Sequence, residues 1–599
     1  MGKHTTTRSA PASPVAVSLA DIIVCLPIAS AAIVILVSYL LDLAGWPIAP
    51  GPVLGLALLG VALAVFTMWR WGPPFQVRAA WGELAGLAVV LVSFPLYAYW
   101  LGGQTWLPAN GSTDTPHHIT LINFIQTRAS LPHAPDLAGY LGEFATYSPG
   151  SHILAALVGR AFGVVGVAIV EPVVVAAAAL RIAVFYLIAL RLLPPRRARP
   201  LLALAGAALL LVAYWYVINS FLYFFFYAQV ISELFALAML WALVAWNDEG
   251  RRGALAFFSL CGIGVWLTWP MWLPAPTLAL AGLLLLRRDL LWRRRATTFA
   301  LTMLPIAVVA IAYTAERVHA LAILAAEGAV TRASVTALGW PLLLLAGVGM
   351  MVSLRRANMR PVWLFAAILL AQTAMLAVLD TLHRVQTYYQ TYKMFYLLVY
   401  PLALFATVGL AYLWQRAATR WPRVGLPLAA ALPPLALALA LWNGLPLQPV
   451  ATREQTTAFT PPLSSSVVWA RQNLPPACVD YLVNYWVTAY WLHLELGNPR
   501  ATDHSTEIVE HYDDRVNSPD RWKRPRGLPY AIVENMDSVP ENVRSRFTVL
   551  YDAPPSAVVY RTGECDEAIV PLQDYPLPPR TDTLAARLDR LLGARLAGD

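Results

Sequence analysis

Apolar runs long enough to cross a bilayer recur from about residue 18 to about residue 443, and no other feature restricts the fold of this chain so severely. A hydrocarbon core of about 30 Å calls for about 20 apolar residues in a helix. Inside it, only structures that satisfy their own backbone hydrogen bonds persist. The runs fall near 18–42, 50–68, 80–101, 166–193, 200–219, 224–247, 253–269, 271–288, 296–314, 337–354, 361–380, 394–414 and 425–443, about thirteen spans. Only 13% of the 599 residues are charged, against about 25% in a soluble domain. The expected fold is mostly α: a polytopic transmembrane helical bundle over 1–443. It is followed by a small extracytoplasmic α/β or α+β domain over 444–599. The least secure division lies at Thr268-Trp269-Pro270-Met271-Trp272-Leu273-Pro274, which reads as a tight turn or a kink.

Charge sets the expected orientation. With the N-terminus cytoplasmic, the inside segments hold twenty Lys and Arg and the outside segments up to residue 443 hold six. That asymmetry follows the positive-inside pattern and puts both the 102–165 loop and the tail outside. The net charge of +9 then reports topology and gives no reason to invoke nucleic acid. Histidine follows the same map, since nine of ten fall on the outward side.

The outward loop carries Gly111-Ser112-Thr113-Asp114-Thr115-Pro116-His117-His118, then Tyr147-Ser148-Pro149-Gly150-Ser151-His152. Thr113 or Asp114 can cap a helix that starts here, with Pro116 tolerated in the first turn. Asp114 then shares a helix face with His117 or His118. A carboxylate beside two imidazoles at the membrane surface is expensive unless a reaction or a ligand uses it. Asp114 is the candidate catalytic group; His117, His118, Tyr147 and His152 are candidate substrate contacts. The plainer readings are a cap for Asp114, a solvated helix for His117 and His118, and a loop hydrogen bond for His152. A divalent cation finds ligand types here without a second cluster at known spacing. The metal question stays open, and no other cofactor is implied. Ile153–Phe162 is too short to span and reads as an interfacial helix.

A second constellation is His383-Arg384-Val385-Gln386-Thr387-Tyr388-Tyr389-Gln390-Thr391-Tyr392-Lys393, preceded by Asp380. Arg, Lys and Tyr donors suit a phosphate or pyrophosphate; an aromatic belt with snorkelling cations is the plainer account. His383, Arg384, Tyr388, Tyr389, Tyr392 and Lys393 are therefore candidate substrate contacts. Arg181 sits inside a span and must face a cavity, a headgroup or an acid, with Glu171 and Glu233 as candidate partners. It is a further candidate substrate contact. Tyr223 to Gln229 reads as an aromatic rim.

In the tail, Val467–Pro475 reads as a helix, and Tyr530–Val533, Phe547–Tyr551 and Ala557–Tyr560 alternate as strands. Thr583–Ala597 has an amphipathic helical pattern. Cys478 and Cys565 both lie there, where a disulfide can persist; Cys25 and Cys261 lie in spans.

The order of parts resembles the GT-C superfamily, polytopic membrane glycosyltransferases that use polyprenyl-phosphate sugars. The likeness rests on an Asp in the first long outward loop, the Tyr147–His152 stretch before an interfacial helix, and an outward C-terminal domain. It covers nearly the whole chain in architecture. Here the Asp follows the third apolar run, whereas many members place theirs after the first. The resemblance implies a poorly characterised bacterial member in the plasma membrane, with Asp114 as base. It would transfer a hexosyl or pentosyl group from a polyprenyl-phosphate donor, with inversion, to an extracytoplasmic acceptor hydroxyl on a glycan, lipid or protein. Its partners would be the lipid-linked sugar, membrane lipids and that acceptor. The rival class is a transporter or flippase of a lipid-linked or amphipathic substrate. That class calls for polar residues along a path through the bundle.

Overall fold

The computed structural model describes residues 15–71, 75–108, 114–133, 141–250, 252–316, 330–382, 387–449, 460–483, 486–497, 528–539, 541–561 and 563–565. The helical part runs in order: β1 Val15–Ser18, α1 Leu19–Leu43, α2 Pro50–Trp71, β2 Phe75–Arg78, α3 Trp81–Leu101, α4 Asp114–Arg128, α5 Gly150–Phe162, α6 Gly166–Leu192, α7 Arg199–Leu210 and α8 Tyr227–Glu249. It continues with α9 Arg252–Thr268, α10 Pro274–Leu286, α11 Trp292–Glu316, α12 Trp340–Ser353, α13 Arg360–Thr381, α14 Tyr388–Arg420 and α15 Gly425–Trp442. Among the described residues, nine helices are long and apolar enough to cross a membrane, and four shorter apolar helices accompany them. The chain is therefore a mostly α, multi-pass membrane protein. The insecure division resolves into two helices, α9 and α10, joined by the short 3-10 turn Pro270–Trp272.

Composition sorts the helices into layers. In α8, 94% of the apolar stretch is buried, against 22% in α11. α8, α6 and α14 thus form the centre, while α1, α3, α11 and α13 keep broad faces for lipid. Where α12 crosses α14 the backbones nearly touch, because Gly349 and Gly409 face each other's helix. A Cβ at either would collide with the carbonyl of Phe405 or Leu345. Small residues permit this approach where lipid offers no hydrophobic driving force.

α4 and α5 do not span. Asp42, near the end of α1, fixes the chain after α4 by accepting from Leu131 N at 2.9 Å and His133 Nε2 at 2.6 Å. Arg160, the polar side of α5, donates to the Ile48 carbonyl at 3.0 Å.

Beyond residue 460, α16 Pro461–Asn473, β3 Val479–Leu482, α17 Trp486–Leu496, β4 Tyr530–Val533, β5 Thr548–Ala553 and β6 Ser556–Tyr560 make a small α/β unit. The sheet order is β3-β4-β6-β5; β3 and β4 pair parallel, the rest antiparallel. β3 is a strand the period-2 pattern misses, because all four of its residues are buried and a strand covered on both faces does not alternate. Cys478 and Cys565 are bonded, which ties the start of β3 to the segment after β6. Thr583–Ala597 lies outside the described residues.

Candidate functional site

α4 starts at Asp114, which is half-buried, and places His118 one turn further along the same face. His118 is 1% exposed and His152, on the first turn of α5, is fully buried. Their rings meet at Nδ1···Nε2 2.8 Å. His152 also makes a backbone hydrogen bond to Ser148. Ser151 Oγ lies 3.3 Å from His152 Nδ1. Burial pushes His152 down to about 3. Burial, then the neighbours His152, His117 and Lys393, hold His118 well below the usual imidazole range.

Aromatic rings enclose this pair. Phe144 and Tyr147 stack at 4.4 Å and both present edges to His118. Tyr227, at the start of α8, donates to the Ser151 carbonyl at 2.9 Å. His117, on the next face of α4, packs at 4.3 Å from Tyr490 of α17. Burial and His493 of α17 lower its affinity for a proton. The α/β unit thus seats on the helix that carries Asp114.

Lys393 comes from α14 and is 2% exposed. Its Nζ lies 3.2 Å from the Phe226 ring centre, 4.6 Å from Tyr389 and 5.2 Å from Trp269. The Asp114 carboxylate acts on this amine electrostatically. Asp380, at the end of α13, accepts from the backbone N–H groups of Thr387 and Tyr388, both at 3.1 Å. It therefore fixes where α14 begins and so where Lys393 stands.

Of the residues singled out in the sequence, the structure brings together Asp114, His117, His118, Tyr147, His152, Tyr389 and Lys393. It does not bring Arg181 to them. Arg181 is fully buried between α6 and α8, paired with Glu233 and donating to the Val217 carbonyl at 2.7 Å. Tyr400 and Gln229 complete the Glu233 carboxylate, at 3.1 and 3.2 Å. Tyr388 and Tyr392 pack on each other at 4.7 Å, with Tyr388 exposed. His383 and Arg384 lie outside the described residues. Phe226, Trp269, Phe144 and Tyr490 join the group without having been named as site residues. Phe226 and Trp269 do stand in aromatic runs, but no local pattern assigns them to a lysine more than a hundred residues later in the chain. Among the described residues, no group of three or more His, Cys, Asp or Glu is placed to hold a metal ion.

No protein-family model matches this sequence, and no curated protein matches it. Solved structures do. The oligosaccharyltransferase of Archaeoglobus fulgidus in its apo form aligns with a TM-score of 0.50 at 12% identity, covering 76% of this chain and 70% of that one. ArnT from Cupriavidus metallidurans, bound to undecaprenyl phosphate, aligns with a TM-score of 0.48 at 13% identity, covering 82% of this chain and 100% of that one. The resemblance read from the order of parts is thus met by a likeness of fold: the chain shares the overall fold of the Archaeoglobus fulgidus structure.

Proposed function

We propose that this chain is a membrane glycosyltransferase that moves a sugar from a polyprenyl-phosphate donor to an acceptor hydroxyl outside the cell, with inversion. One observation carries the reading: a half-buried carboxylate, Asp114, acts electrostatically on a buried ammonium, Lys393, in a ring-lined group beside the α/β unit. The carboxylate takes the acceptor O–H proton as the oxygen attacks the anomeric carbon. The bond from that carbon to the phosphate oxygen breaks, and its electron pair leaves with the phosphate. Lys393 stabilises that charge, and Arg384 is the second cation we assign to it. The aromatic rings offer faces to a sugar.

The sidedness belongs to the same proposal. The α4–α17 contact supports a reading in which the loop and the tail share one face of the membrane, in line with the charge asymmetry. We assign that face to the outside of a bacterial plasma membrane, with the N-terminus cytoplasmic. A donor reaching that face must arrive on a lipid, since nucleotide sugars remain in the cytoplasm. The transporter reading needs a polar lining along the central helix. From Leu234 to Trp246, α8 is apolar and buried.

The test is incubation of purified protein with radiolabelled polyprenyl-phosphate sugars and a membrane extract, with and without EDTA, comparing wild type with Asp114→Asn. Label must enter an acceptor with wild type alone. Equal transfer by the folded mutant removes Asp114 from the chemistry.

A further inference from the structure

At the end of the bundle away from Asp114 there is a polar cavity. α8 measures the distance: its first turn adjoins Phe226 of the Lys393 cage, and its last residue, Glu249, lines a cavity of about 960 Å³. The helix has 23 residues, so the two places are about 34 Å apart. A volume of this order is that of a ligand cleft, of about 300–1,000 Å³.

The walls are set by ion pairs between elements. Arg191, at the end of α6, bridges Asp21 of α1 at 2.6 Å and Glu249 of α8 at 2.9 Å. Arg199, at the start of α7, pairs with Glu83 of α3 at 2.6 Å. Below them β1 and β2 pair in parallel with Ser18 opposite Arg78, and both residues line the cavity. Two arginines thus take up three of the four lining carboxylates and hold five elements apart. Arg78, Arg196 and Arg197 remain, all exposed at the rim. None makes a side-chain hydrogen bond or ion pair with a described residue, and the only other lining acid is Asp248.

Cationic loops alone would satisfy the positive-inside pattern. A pre-built cleft in which three of four acids are paired and three further arginines share the lining is a more specific arrangement. Planar guanidinium forks match phosphate oxygens in pairs. We propose that this cavity binds a phosphate-bearing anion, through Arg78, Arg196 and Arg197, at the membrane face opposite the Asp114 group. A lipid headgroup and a free phosphate present the same chemistry. The site stands apart from the transfer reading, since its test uses no sugar donor.

The experiment compares the full-length wild type with two triple variants. One is Arg78→Gln/Arg196→Gln/Arg197→Gln. The other, Arg293→Gln/Arg294→Gln/Arg355→Gln, removes the same charge from exposed arginines outside the cavity. One arm titrates inorganic pyrophosphate against detergent-purified protein and reads the thermal midpoint. The other counts lipids retained by native mass spectrometry from phosphatidylcholine nanodiscs with and without phosphatidylglycerol. Stabilisation by pyrophosphate identifies a soluble ligand, and retained phosphatidylglycerol identifies a headgroup. Either must weaken by about tenfold in the cavity variant and stay at wild-type strength in the control. Equal loss in both variants, or no binding in either arm by folded wild type, overturns the site.

Discussion

Two cations are sealed inside this bundle, and they are held in opposite ways. Arg181 meets Glu233, the Val217 carbonyl and the face of Tyr400. Its partners are side chains and backbone that do not leave. Lys393 meets the faces of Phe226, Tyr389 and Trp269, with the Asp114 carboxylate acting on it electrostatically. Rings stabilise an ammonium by about 0.5–2 kcal/mol without occupying its N–H donors. Among the described residues, no hydrogen bond uses those donors. The first arrangement is a closed structural pair; the second stores a charge that can be handed to an incoming anion. Burial alone therefore does not mark a functional cation in a membrane. What marks it is whether a fixed acid already pairs with its charge, as Glu233 does with Arg181.

The largest effect expected from breaking this contrast is at Asp114. Asp114→Asn preserves the shape and removes the base, so transfer should fall by about 10²–10⁴-fold, with an unchanged thermal midpoint. Glu233→Ala should do the reverse. It leaves a guanidinium buried without its acid, which costs about 3–5 kcal/mol of stability. The check is detergent-solubilised unfolding followed by size-exclusion fluorescence. The double variant Arg181→Met/Glu233→Met should recover most of that loss and leave the donor KM where it was. A raised KM in the double variant would turn Arg181 into a substrate contact and erase the comparison.

Lys393→Met is the third test. It removes a charge-assisted donor worth about 1.5–3 kcal/mol, so kcat/KM for the lipid donor should fall by roughly 10–100-fold. Stability should hold or rise, because a desolvated ammonium is gone. Lys393→Arg should not rescue fully, since a guanidinium is bulkier than the ammonium and the place is closed, with Lys393 only 2% exposed. Loss of folding in Lys393→Met, with no change in the double Arg181 variant, would exchange the roles of the two cations.

The sequence made these groups legible to different depths. The helices are plain in it because hydrocarbon enforces long apolar runs, and each run overlaps a helix, although the run at 200–219 breaks after Leu210. The α4 start at Asp114 is local, set by a capping-type residue and Pro116, so it too is readable. Glu233 could be offered as a partner for Arg181, although only packing chooses it over Glu171. The Lys393 cage is invisible, because Phe226, Trp269 and Tyr389 come from three separate segments and each reads alone as an interfacial aromatic. Tyr490 and His493 are equally hidden. Their meeting with His117 depends on how the α/β unit docks, which no period in either segment encodes. His383 and Arg384 lie outside the described residues, so the phosphate side of the proposal rests on Lys393.

The last and smallest effect concerns the histidines beside Lys393. The contrast assumes they add no charge of their own. His152 is pushed down to about 3 by burial, against about 6.5 in an unfolded chain. Between those values the unfolded state binds a proton that the folded state refuses. Stability therefore rises with pH through that window, is complete above about 6.5, and is lost progressively on acidification. One such histidine gives up to about 1.4 kcal/mol per pH unit. The thermal midpoint should thus be flat from pH 8 to 7 and fall toward pH 5.5, and His152→Gln should shallow that fall without moving the plateau. The same neutrality predicts a transfer rate with no imidazole inflection near pH 6.5. An inflection there that disappears in His118→Gln would mean the pair carries a proton at work, and Lys393 would then share its role as the stored charge.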